Sequence, residues 1–146
     1  MNVLLDTCVV IDFLQQREPF ADEAKEIFRA AAVEKFVGYT TAKSAADIYY
    51  LIHRNTHSDR EARDKLNKLL GILTLLDTTA GDIFRALTAD TSDFEDAVMI
   101  ETAVRSHIDC IITRNVKDYR KSSVPAYSPA EFLKQLKSTG RQVSEK

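Results

Sequence analysis

The chain has 146 residues, 45% hydrophobic and 29% charged, which suits one domain with a full core and excludes a disordered polymer. Its formal net charge of −2 argues against a general basic coat for nucleic acid, which needs many Lys and Arg contacts to phosphates; a local basic rim remains compatible with it. The two cysteines, Cys8 and Cys110, lie in apolar runs and read as small buried hydrophobes rather than a disulfide framework.

In chain order, Val3–Leu5 is a short apolar run of the kind that forms a strand buried on both faces, and it stops at Asp6. A short helix through Leu14 follows, then a turn at Gln15–Pro19, with Pro19 fitting the first turn of a new helix. Phe20, Ala24, Ile27, Phe28 and Ala31 recur at helical spacing up to Glu34. Phe36–Thr40 reads as a second strand and Thr41–Arg54 as a helix with Asp47 inside it. Ser58 and Glu61 form a capping box that opens the next helix, which Gly71 ends. Ile72–Leu76 reads as a third strand, or Leu69–Leu76 as a continuation of that helix, and Thr78–Leu87 as a further helix. Ser92 with Glu95 makes a second capping box, opening a helix that runs to His107. Asp109–Thr113 is a fourth strand, Arg114–Ser123 a polar turn, and Val124–Tyr127 a short fifth strand. Ser128–Pro129–Ala130–Glu131 caps a last helix ending near Lys137, which leaves 138–146 as a polar, frayed tail.

Strands alternating with helices predict an α/β fold: a central, mostly parallel sheet of four to five strands with helices on both faces. There is no internal repeat and no linker, so a single domain over 1–137 is expected. No basic leader precedes the first strand and no apolar run is long enough to span a bilayer, which points to the cytoplasm and away from a membrane.

In such a fold, ligands bind outside the carboxyl ends of the strands. Asp6 ends the first strand, where it serves equally well as a functional acid or a helix N-cap. Asp47 sits among small apolar residues of a core-like helix, where an unpaired charge is costly. Asp93 and Asp96 are three apart at a helix start, and Asp118 follows the fourth strand. Carboxylates gathered at one sheet edge repel one another, and a hard divalent cation such as Mg²⁺ or Mn²⁺ relieves that repulsion. Glu95 reads as a cap partner, and Asp12, Asp22, Asp59, Asp64, Asp77, Asp82 and Asp90 as solvated or capping acids. The histidines have no zinc spacing, the four glycines make no phosphate loop, and no nucleophile elbow is present. Thr113–Lys121 combines a hydroxyl, an amide, an acid and four cations with Tyr119, which reads either as a solvated turn or as a lip receiving a phosphodiester and stacking a base.

Five segments, MNVLLDTCVVIDFL, REPF and its continuation, S–AADIYYL, DFEDAV and IITRNVKDY, together resemble the PIN domain, in the branch of VapC-like toxins. The likeness extends to about Lys134, and its most specific pair is DFEDA followed by TRN–KDY. It implies a Mg²⁺- or Mn²⁺-dependent endoribonuclease, commonly the toxin of a type II toxin–antitoxin pair, forming a homodimer and inhibited by a small cognate antitoxin. It maps the acidic, metal-binding site onto Asp6, Asp47, Asp96 and Asp118, with Asp93 as a neighbouring acid. Thr7, Thr113 and Asn115 become supporting polar groups, and Arg114 and Lys117 contacts to the RNA phosphate. Two positions depart from the family pattern. Asp47 stands where many relatives carry Glu, and Cys8 where Asn or Ser is usual. The competing reading is a non-catalytic module that binds RNA or protein through the same cleft.

Overall fold

The computed structural model describes residues 1–91 and 93–144, with side chains through residue 139. Its strands are β1 (Asn2–Leu5), β2 (Val37–Thr41), β3 (Thr74–Leu76), β4 (Cys110–Ile112) and β5 (Ala126–Tyr127). They form one sheet in the order β3-β2-β1-β4-β5, and every neighbouring pair is parallel. The helices are α1 (Thr7–Leu14), α2 (Ala21–Ala32), α3 (Ala42–Thr56), α4 (Asp59–Leu69), α5 (Ala80–Leu87), α6 (Phe94–Arg105) and α7 (Pro129–Ser144). A 3₁₀ turn covers Val116–Tyr119.

The two-residue period of the strands divides the core. Val3, Leu5, Cys110 and Ile112 face one cluster with Val9, Ile27, Phe28, Ile48, Ile52 and Phe132 from the helices. Leu4 and Ile111 face the other, with Met99, Ile100 and Ala103 of α6. Burial on both faces is why β1 and β4 read as unbroken apolar runs. A satellite cluster of Ala86, Ala97 and Val98 packs α5 against α6.

Capping chemistry sets most helix starts. The Ser58 hydroxyl accepts from the Glu61 N–H at 3.1 Å, and the Ser128 hydroxyl from the Glu131 N–H at 3.2 Å. Thr41 caps α3, accepting from the Ser44 N–H at 3.0 Å, and Thr79 with Asp82 forms a full capping box on α5. Ser92 lies outside the described residues; the N-cap of α6 is Asp93, whose carboxylate accepts from the Asp96 N–H at 3.0 Å. Pro19 lies not inside α2 but in the turn before it, after a cis Glu18–Pro19 bond. The last helix runs to Ser144 instead of stopping near Lys137: no proline intervenes, and one interior glycine costs a helix only about 1 kcal/mol. Among the described residues no helix is long and apolar enough to cross a membrane.

Two acids expected on solvated faces or caps are buried. Asp12 is 1% exposed, and its oxygens meet Arg114 Nε at 2.6 Å and Nη2 at 3.3 Å. Asp82, 0% exposed, accepts from Arg105 at 2.9 and 3.0 Å, Arg85 at 2.9 Å, the Thr102 hydroxyl at 2.9 Å and the Thr79 N–H at 3.0 Å. Burial alone would raise its pKa, but the bonds from Arg105, Thr79 and Thr102 and the Arg105 charge outweigh that and hold it well below the usual carboxylate range. The stability this contributes is present above an ordinary carboxylate pKa of about 4 and is lost as pH falls below it. Replacing Asp82 by Asn is expected to cost about 3 kcal/mol at neutral pH and to flatten the acid limb of the stability curve, both read by denaturant melts across pH.

Candidate active site

The sheet order places a topological switch between β1 and β4: the chain leaves β1 toward β2 and β3 and returns on the other side. Asp6 lies at this crevice. Its backbone is extended at the N-cap of α1 and donates its N–H to the Ile112 carbonyl at 2.9 Å. Its carboxylate makes no capping bond, which removes the helix-cap explanation for an acid at this position. Instead one oxygen accepts from the Thr113 hydroxyl at 2.7 Å, and the Cys8 thiol approaches the same oxygen at 3.5 Å. Thr113, fully buried at the end of β4, accepts in turn from the Asn115 N–H at 3.0 Å. Cys8 is half-buried, not buried as expected; burial and the Asp6 charge push its thiol up to about 11, so it stays a neutral donor.

A cavity of about 230 Å³ opens above this point, lined by Asp6, Thr7, Lys43, Ser44, Asp47, Tyr50, Leu51, Glu95, Asp96 and Met99. Three of the four expected acids, Asp6, Asp47 and Asp96, therefore face one space. Asp96 comes from the first turn of α6, and one oxygen accepts from the Tyr119 hydroxyl at 3.2 Å. Burial, the charge of Asp6 and that of Asp93 push Asp96 up to about 6; the Tyr119 hydroxyl pulls the other way, and Asp118 adds a smaller push. Asp118 is exposed on the 3₁₀ turn and does not line the cavity, though its charge reaches Asp96. Asp93 is exposed and serves as the cap.

Several expectations need correcting. Asp47 is not a buried charge on a core face; it is half-exposed at the cavity wall and ion-paired with Lys43, because Ala46 and Asp47 fall on the outward side of α3. Glu95 is no cap partner: the capping N–H belongs to Asp96, and Glu95 instead pairs with Lys43 at 3.2 Å. Arg114 does not reach out to a phosphate. Its guanidinium pairs with buried Asp12 and lies 4.1 Å over the Phe20 ring, tying the loop after β4 to α1. Tyr119 offers no stacking surface, being 2% exposed with its hydroxyl on Asp96; burial and the charges of Asp6 and Asp96 raise its pKa, so it remains a hydrogen-bond donor. The exposed aromatic at the cavity is Tyr50, 62% exposed. Lys117 is exposed and makes no ion pair among the described residues.

Sequence reasoning passed over Lys43, Ser44 and Tyr50. Ser44 is buried and its hydroxyl accepts from Thr7 at 3.0 Å, joining the starts of α1 and α3. A signal for it was present: Ser44 comes three residues after the end of β2, in the same kind of place as Asp6 and Thr7 just after β1.

A model of the PIN domain matches residues 2–117. The chain belongs to the PIN-domain family. Among solved structures, this PIN domain is similar in fold to a toxin–antitoxin complex from Klebsiella pneumoniae, 20% identical, aligning 87% of this chain with 97% of that one at a TM-score of 0.64. It is similar to FitAcB from Neisseria gonorrhoeae at 17% identity, with 88% and 98% covered and a TM-score of 0.65. It also resembles Mycobacterium tuberculosis VapC20, a Sarcin-Ricin loop cleaving toxin, at 18% identity, with 75% and 86% covered and a TM-score of 0.59. No curated protein sequence matches the chain.

The raised pKa of Asp96 carries a sign opposite to that of Asp82. Between about pH 4 and its folded value the native state keeps a proton that the unfolded chain has lost, so stability falls as pH rises through that window. In EDTA, Asp96→Asn is expected to raise the thermal midpoint by a few degrees near pH ~7.5 and to leave it unchanged near pH ~4. Tyr119→Phe keeps the ring, removes the donor and is expected to move the Asp96 carboxyl titration upward, read by ¹³C NMR; an Asp96 that titrates near the ordinary value in both proteins would show that no such crowding exists.

Proposed function

We propose that residues 1–137 form a Mg²⁺- or Mn²⁺-dependent endoribonuclease domain that hydrolyses RNA phosphodiester bonds in the cytoplasm. In this reading the chain is the toxin of a type II toxin–antitoxin pair, a homodimer silenced by a small cognate antitoxin. The observation that carries the catalytic part is the juxtaposition of Asp6 and Asp96 in one cavity, with no Lys or Arg paired to either among the described residues. Family membership and the toxins that share the fold support the rest.

The donor set suits a hard cation. It is oxygen-only, burial together with the neighbouring acids raises one carboxyl to about 6, and Mg²⁺ is commonly held by one or two carboxylates with waters filling the remaining positions. Among the described residues no three His, Cys, Asp or Glu groups are set to enclose an ion, so an ion bound here would take most of its ligands from water. Asp6 and Asp96 would hold the ion. What a divalent ion supplies at such a site is a water of lowered pKa and positive charge against the phosphate.

The remaining work falls to the chain. Thr113 fixes the rotamer of Asp6, and Tyr119 fixes that of Asp96, so both carboxylates are aimed before substrate arrives. Asp118 lies outside the cavity lining with its charge felt at Asp96, and would orient a water at the cavity edge. Asn115, placed by its backbone bond to Thr113, and Lys117 on the following turn present an amide and an ammonium to the RNA backbone. Tyr50 offers the face on which a base stacks.

Labelled RNA incubated with the protein is expected to be cut in Mg²⁺ or Mn²⁺ and left intact in EDTA. Asp6→Asn is expected to lower the rate at least ~100-fold, the scale of losing a primary electrostatic group, with the circular dichroism spectrum unchanged. Cleavage by Asp6→Asn protein at the wild-type rate would remove Asp6 from the mechanism. RNA binding without turnover at any metal concentration would make the chain a non-catalytic module instead. For the toxin role, expression alone is expected to arrest growth, with relief by a small protein encoded beside it.

A further inference from the structure

Lys43 is placed against the rules of helix stability. It occupies the first turn of α3, a turn with no acidic residue, where the helix dipole favours anions. Its i,i+4 pairing with Asp47 puts the cation on the N-terminal side, the less favourable order for such pairs. Its second bond goes to Glu95 of α6, whose side chain is 74% exposed, so that pair adds little stability. Yet the residue is held firmly. Its backbone N–H donates to the Thr78 hydroxyl at 3.1 Å, and the adjacent Ser44 N–H is capped by Thr41 at 3.0 Å. A residue so anchored, with an ammonium that spans two helices across a cavity wall, is positioned for the cavity.

The charges around that cavity divide into two halves. Asp47 and Glu95 share the Lys43 ammonium. Asp6 and Asp96 have no cationic side chain paired to them among the described residues, only the hydroxyls of Thr113 and Tyr119 and the Cys8 thiol. Two-ion phosphodiester hydrolases place positive charge on both sides of the phosphate, with ions about 3.5–4 Å apart. Here the two carboxylates on one side already share a protein ammonium, which neutralises one of their two charges.

We propose that Lys43 is the second positive charge of this site: its ammonium takes the place of a second divalent ion on the Asp47–Glu95 side, so that the chain binds one divalent ion, at Asp6 and Asp96. The proposal rests on the reading of the cavity as a nuclease site and specifies its ion count and its second phosphate-facing group. Lys43 is thus a positioning residue for the free protein and a phosphate contact once RNA enters.

Mn²⁺ titration of the metal-free full chain, followed by calorimetry and by electron paramagnetic resonance of free Mn²⁺, measures the count without reference to activity. Wild type is expected to bind one ion per chain, Lys43→Arg one, and Lys43→Met two, the second lost again in Lys43→Met/Asp47→Asn. Lys43→Gln serves in the same role if the methionine variant does not fold. Two ions in the wild type, or one ion in a folded Lys43→Met or Lys43→Gln protein, overturns the proposal. Labelled RNA added to the same samples separates the two readings. One ion in wild type and two in Lys43→Met, without cleavage in either, leaves the ion count standing and removes the nuclease. Cleavage by a wild type that holds two ions keeps the nuclease and removes the role of Lys43.

Discussion

Like charges forced together at the crevice between β1 and β4 are the constraint around which this molecule is arranged. Folding brings Asp6 and Asp96 into one cavity from positions ninety residues apart, where burial first, and then the charges of Asp6 and Asp93, push the Asp96 carboxyl above its usual range. A protein that needed only stability would not gather carboxylates there. The surrounding groups do not neutralise the pair; they orient it. Thr113 and Tyr119 each donate one hydroxyl hydrogen bond, which fixes a carboxylate without cancelling its charge.

The other buried acids show what full neutralisation looks like in the same fold. Asp82 has two arginines, a hydroxyl and a backbone N–H, and it sits where α5, α6 and the loop after β3 meet. Arg105 extends that junction by donating to the Asp77 carbonyl at 2.7 Å. Because α6 also carries Asp96 in its first turn, the satisfied acid at one end of the helix steadies the unsatisfied one at the other. Asp12 does the same for the opposite wall: its pair with Arg114 ties α1 to the loop that begins at Thr113, so the two residues flanking Asp6 in space are held through a second charge pair. Strain at the site is thus confined to the cavity, and the elements that build it are pinned outside it.

The layered fold was legible because buried strands and amphipathic helices leave different periods in the sequence, and the parallel sheet follows from their alternation. Helix starts at Ser58 and Ser128 were legible for a local reason, a hydroxyl three residues before an acid. The same rule misread Glu95, because at α6 an aspartate one position later than Ser92 supplies the cap. Convergence of Asp6, Asp47 and Asp96 was expected from the doubly wound layout and the family resemblance, which also put Asp118 in the site, although Asp118 does not line the cavity. Long-range partners were not legible. Asp82 had local signals, the Thr79 capping box and Arg85 three residues on, but nothing local shows that Asp12 and Asp82 are buried against Arg114 and Arg105, 102 and 23 residues away. For the same reason Arg114 and Tyr119 looked free in sequence, while tertiary packing had already committed them inward.

Asp47 and Cys8, the two positions that the sequence resemblance set apart, acquire a physical meaning when read with their neighbours. An aspartate at position 47 is one methylene shorter than glutamate, so its carboxylate stays close to its own helix, within reach of a side chain one turn back. Lys43 is that side chain, and it takes hold of Asp47 and Glu95 together. Cys8 at the other departure is a neutral thiol that approaches Asp6 as a weak donor, and it brings no charge to that half of the cavity. On the Asp47 side two carboxylates share one ammonium, while among the described residues no cationic side chain is paired to Asp6 or Asp96. A phosphodiester entering the cavity would meet that lysine at one wall and an unneutralised carboxylate pair at the other.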